Sequence, residues 1–182
     1  MHGPASSGWL LVALCAAAGA YCLLRMRSRV VEQRRAAGGE ALMGFGMAVM
    51  AVPATAFTPP AWAWPALAVV FGAAGLHALR AARAGARHLH HLVGAGAMVY
   101  MAVTMAAATG QGHGHGGSGT PLLTGALLLY FVVYVLATGV RLVPAAAVAG
   151  SGRDAGWGDR PELARVCRLS MGIAMVAMLL TM

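Results

Sequence analysis

Lysine is absent from this chain, and acidic residues number only five in 182. Charged residues make up 10% of the total, against roughly 25% in a soluble domain, which excludes an ordinary water-soluble globule. Cysteine is scarce: Cys15, Cys22 and Cys167 are too few and too scattered for a disulfide framework. There is no nucleophile elbow, no phosphate-binding loop and no zinc-protease motif, so the chain is not expected to be an enzyme. Charge inside the apolar runs is almost absent, which argues against a proton-coupled carrier.

Long apolar runs are what the chain has instead. Hydrophobic residues make up 59% of it, and the mean hydropathy is +0.71. A helix crosses the hydrocarbon core in about 20 residues, and backbone groups in lipid must pair internally, so each run is expected to be a helix. Six are read, at about 9–24, 41–57, 61–79, 89–109, 121–140 and 163–182. The second and sixth are short. The first is no cleaved signal peptide in layout, because its basic cluster (Arg25, Arg27, Arg29, Arg34, Arg35) follows the apolar run instead of preceding it.

The net charge of +8 comes entirely from 13 arginines. Their placement explains them. Arg80, Arg83 and Arg87 lie between spans three and four. Arg141, Arg153, Arg160, Arg165 and Arg168 lie between or beside spans five and six. The alternate loops, Thr58 to Pro60 and Gly110 to Thr120, contain none. This is the positive-inside pattern. It places both termini outside and leaves nucleic-acid binding with little to explain. The expected localisation is the plasma membrane, multi-pass, with the lipid bilayer as the principal partner. The six spans form three hairpins, each going in and coming back out, and suggest a pseudo-threefold bundle treated as one transmembrane domain over 1–182.

Ten of the 12 methionines lie on spans two, four and six, and spans three and five have none. Span two carries Glu40, Met43, Met47 and Met50. Span four carries His91, Met98, Met101 and Met105. Span six carries Cys167, Met171, Met175, Met178 and Met182. At 100° per residue each set occupies an arc of roughly 80°. Each stripe begins near the inner face with a polar or ligating residue. Glu40 is read in the first turn of its helix, where negative charge is favourable.

Two interpretations follow. Methionine is a flexible core filler, and Gly44, Gly46, Gly94, Gly96 and Gly172 suit close helix packing, so the stripes fit a non-catalytic membrane scaffold or complex subunit. Thioether sulfur is also a soft ligand for Cu(I), and weak neutral ligands at intervals suit conduction. In that case His88 and His91, sharing a face at i and i+3, join Glu40 and Cys167 as an inner acceptor. The outer Gly/His tract with His113 and His115 offers weak capture, with His2 on the same side. These inner groups are equally explained as solvated interfacial residues, with His77 interfacial or packed. A haem protein is a further alternative, since His and Met are axial ligands, but it needs a histidine deeper than His91.

The segments Glu40–Met50, His90–Met101 and Cys167–Met182 resemble an actinobacterial membrane family catalogued as a domain of unknown function. The likeness covers most of the chain and implies no activity. The pairs Met43/Met47, Met101/Met105 and Met171/Met175 are similar to the Met-x-x-x-Met pairs that line the pore of the eukaryotic high-affinity copper transporters. Those are trimers with one pair per subunit, and His91 and Cys167 resemble the His/Cys content of their cytoplasmic tails. That resemblance implies Cu(I), and by extension Ag(I), as the metal ion carried. This chain departs from those transporters in having six spans and no long methionine-rich ectodomain. The reading is an all-α integral membrane bundle binding Cu(I) along an axis between spans two, four and six, for transport or delivery.

Overall fold

The computed structural model describes residues 4–27, 31–53, 56–82, 89–110, 120–148 and 161–181. His2, His88, His113, His115 and Met182 lie outside them. Among the described residues the regular structure is entirely helical: α1 (Pro4–Arg25), α2 (Val31–Met50), α3 (Ala63–Ala82), α4 (Leu89–Gly110), α5 (Pro121–Val148) and α6 (Pro161–Leu180). Pro4, Pro121 and Pro161 open their helices at the first position, where a missing N–H costs nothing.

Helix α2 departs most from the expected bounds. It begins ten residues before Ala41, because Arg34, Arg35 and the alanines after them are good helix formers even though they add nothing to an apolar count. It stops at Met50, short of Phe57, because Pro53 lacks an N–H and biases Val52 away from helical geometry. Glu40 is therefore the tenth residue of a 20-residue helix and does not sit in its first turn, which removes the helix-terminus explanation for its charge. Helix α5 runs past Val140 to Val148, through Pro144.

Among the described residues, five helices contain stretches long and apolar enough to cross a membrane: Ser6–Arg25, Ala63–Arg80, His90–Ala108, Pro121–Arg141 and Leu163–Leu180. The apolar part of α2 is shorter, Ala36–Met50, and at 1.5 Å per residue spans about 22 Å. Leu122, Leu129, Leu136 and Val140 of α5 are all well exposed. Exposed apolar side chains repeated along one helix have no favourable place in water and mark a surface for lipid. The chain is a multi-pass membrane protein.

The helices belong to two compact units, one of α1, α2, α5 and α6 (Met1–Val52 and Leu122–Met182) and one of α3 and α4 (Pro53–Pro121). In the first, α1 packs along α2, and α6 packs on both. The α1–α2 crossing is set by glycine. A Cβ on Gly44 would lie 2.9 Å from the Cα and N of Gly19 and 3.1 Å from the Cys15 carbonyl oxygen, so only glycine allows the backbones this close. Gly172 of α6 lies under side chains of α5 and not against its backbone, with Val135 Cγ2 2.9 Å from where its Cβ would be. In the second unit α3 packs along α4, with Gly75 of α3 facing Ala95. Gly96 has open space beside it and plays no part in close packing.

Candidate functional site

Burial separates the methionines by face. On α2, the inward positions are Ala37, Glu40, Ala41, Met47, Ala48 and Met50. With the buried Gly44 among them they step by three and four residues (Ala37, Ala41, Gly44, Ala48 and Glu40, Gly44, Met47, Met50), which keeps them on one side of the helix. Met43 is only half-buried. On α6, Met171, Met175 and Met178 are buried, as are Ala164, Ala174 and Leu179. These two helices pack against one another within the first unit. In the second unit, Met98 and Met101 of α4 are sealed from solvent beside Ala97 and Ala102, and Met105 is half-buried. Seven of the nine described stripe methionines, all but Met43 and Met105, are thus buried.

The polar centre of the first unit was not legible in the apolar runs. Glu40, only 1% exposed, accepts from two guanidinium groups. Arg25 Nη1 donates to Glu40 Oε2 at 2.7 Å, and Arg168 Nε donates to Glu40 Oε1 at 2.7 Å. Arg25 is itself buried, whereas the side chain of Arg168 is 38% exposed. One ion triad therefore ties together α1, α2 and α6. The helix register brings it about. With Gly19 opposite Gly44 in an antiparallel hairpin, moving one turn along α1 to Cys22 and one turn back along α2 to Glu40 makes these two meet. Arg25 lies one turn further on.

Two thiols flank the triad. Cys22 Sγ donates to Glu40 Oε2 at 3.6 Å, and Cys167 directly precedes Arg168, the second donor to Glu40, on α6. Both cysteines are free, with Cys22 buried and Cys167 half-buried. On α5, Tyr134 stacks on Tyr130 with ring centroids 6.5 Å apart. Ser170 donates to the Cys167 carbonyl at 2.9 Å, one turn back on its own helix.

The expected inner acceptor is redrawn by this geometry. Glu40 is committed to two arginines, and positive charge on either side of it opposes a cation. His88 is outside the described residues. His91 sits in the first turn of α4, in the other unit, with its ring 6.0 Å from that of His90. His77 of α3 is exposed. Among the described residues, no three His, Cys, Asp or Glu side chains are grouped to hold a metal ion. Cys167 remains, half-buried and next in sequence to Arg168 of the triad. The expectation of almost no charge within the apolar helices is likewise corrected: Arg25 of α1 and Arg168 of α6 both pair with Glu40 of α2. An acid in the middle of a helix, facing a basic hairpin turn, was the available signal.

No curated protein and no solved structure matches this chain. A family model does match, over residues 32–182, which is most of the sequence and includes Glu40, Cys167 and all three methionine stripes. The chain belongs to the family described as domain of unknown function DUF5134.

Proposed function

We propose that the protein binds Cu(I) through the thioethers of α2, α4 and α6 and moves it across, or delivers it from, the plasma membrane. In this reading all six helices span the bilayer as three hairpins about a pseudo-threefold axis. The termini lie outside and the arginine-bearing ends inside. The observation that carries the reading is the burial of Met47 and Met50 on α2 together with Met171, Met175 and Met178 on α6, two helices in mutual contact. Thioethers stacked along such helices offer neutral soft donors at successive depths. Being neutral, they cost little desolvation when empty.

The chosen test is anaerobic competition for Cu(I) between the purified protein and a chromophoric chelator, comparing the unmodified chain with a Met47→Leu/Met101→Leu/Met175→Leu variant. Leucine keeps the volume and removes the sulfur. The reading expects tight binding that the variant loses, and equal, negligible binding in both would sink it.

A second reading is favoured by the Arg25–Glu40–Arg168 triad, which joins three helices and involves no ligand. It makes the protein a scaffold with a methionine-packed core. It predicts that the leucine variant is indistinguishable from the unmodified chain.

A further inference from the structure

We propose that the arginine-bearing ends of α1, α2 and α6 bind the phosphate of an anionic phospholipid, which Arg168 and Arg165 hold and which balances the surplus charge of the Arg25–Glu40–Arg168 triad. The site uses no thioether and no metal, so it stands or falls separately from copper.

Charge is the first observation. Two guanidinium groups share one carboxylate, which leaves the triad with one surplus positive charge. Arg25 and Glu40 are almost sealed from solvent, and unbalanced charge in such a place is expensive. A phosphodiester carries one negative charge, and its arrival makes the cluster neutral. A zwitterionic headgroup brings its own ammonium and leaves the surplus in place.

Geometry is the second. Arg168 donates to Glu40 through Nε at 2.7 Å, and among the described residues its Nη1 and Nη2 make no hydrogen bond. Those two nitrogens form one edge of a planar fork, which matches two oxygens of one phosphate. Glu40 fixes the guanidinium while the side chain stays 38% exposed. Arg165 is exposed and lies one turn earlier on α6, at the i, i+3 spacing that shares a face.

Depth favours a lipid over a soluble anion. Arg25 closes the apolar stretch Ser6–Arg25, and Arg168 lies inside the stretch Leu163–Leu180, about 7.5 Å along the helix from its start. That is the level at which headgroups meet acyl chains, and a lipid phosphate is already there. Leu24 beside Arg25 and Val166 beside Arg165 are exposed apolar side chains that acyl chains can cover. Basic clusters between membrane helices recognise headgroups in this way.

The experiment equilibrates the full chain in a neutral detergent with equimolar phosphatidylglycerol and phosphatidylcholine. Mass spectrometry of the intact complex counts the lipids retained. The unmodified chain is compared with Arg168→Gln, Arg165→Gln and Arg80→Gln. Arg80 is an exposed arginine of α3 and reports charge attraction that needs no site. The unmodified chain is expected to prefer phosphatidylglycerol. The preference should fall about 5-fold or more in Arg168→Gln and Arg165→Gln, the worth of one arginine beside an anionic surface, and hold in Arg80→Gln. Arg165→Gln leaves the triad intact, so it decides the matter if Arg168→Gln does not fold. Equal retention of the two lipids by the unmodified chain, or an equal loss in all three variants, overturns the site. Inorganic phosphate added to lipid-free protein separates the sources: its uptake, with no preference between the lipids, gives the arginines to a soluble anion and overturns the lipid. Phosphatidylglycerol should also raise the unfolding temperature of the unmodified chain, and an equal rise with phosphatidylcholine overturns the selectivity.

Discussion

Arg25 and Glu40 meet at 2.7 Å across the α1–α2 hairpin with both side chains almost sealed from solvent. Glu40 is the compensation Arg25 has for leaving water, so removing Glu40 strands Arg25, while removing Arg25 leaves Glu40 to Arg168 alone. Glu40→Ala should cost about 3–5 kcal/mol, the usual effect of breaking a buried pair. Arg25→Met should be comparably harmful, and Arg168→Met milder, because Arg168 is partly exposed. The ranking is checked by thermal unfolding in one detergent. Equal, small effects at all three positions would remove the triad from the account.

The glycine crossing makes a sharp contrast. Gly44→Ala puts a methyl group 2.9 Å from Gly19 backbone atoms that cannot rotate away, so α1 and α2 must separate, at about 1–3 kcal/mol. Gly96→Ala adds a methyl group to open space on α4 and should be neutral or stabilising by up to about 1 kcal/mol. Denaturation of the two variants side by side tests the crossing directly.

Volume and sulfur are separable at the methionines. Met47 and Met175 are buried, so a change to Ala should cost about 2–5 kcal/mol and a change to Leu under about 1.5 kcal/mol. If the stripes hold metal, the Leu variants should unfold near the unmodified temperature and yet fail to retain Cu(I). A Leu variant that loses both together would show only that the core is unforgiving.

Orientation can be read with single added cysteines. Thr120 and Arg27 are both exposed; Cys15 and Cys22 are buried, and Cys167, which is half-buried, is changed to Ser in both variants so that only the added cysteine is labelled. A membrane-impermeant maleimide applied to intact cells should label Thr120→Cys at once and Arg27→Cys only after permeabilisation. The opposite pattern would invert the topology.

The helices were legible in the sequence because a lipid solvent leaves few choices. Runs of about 20 apolar residues between arginine clusters gave α3, α4 and α6 to within about three residues, while α1 begins five residues before the expected Trp9. Helix α2 was misplaced because hydropathy measures the solvent around a helix and says nothing of the polar turn preceding it. Gly19 was invisible for a related reason, since a close approach belongs to two segments at once and leaves no pattern in either. The Met-rich faces were visible as a period. The role of Arg25 was hidden by its company: the arginine that turns inward has the same one-dimensional signature as Arg27 and Arg34, which are exposed.

The central claim is that thioethers hold the metal. Copper K-edge absorption on selenomethionine-labelled protein loaded with one or more equivalents of Cu(I) tests it most directly. The account predicts selenium in the inner shell of bound copper, diminished when Met47, Met101 and Met175 are replaced by Leu. A copper shell with no selenium at any loading would contradict it and return the methionines to packing.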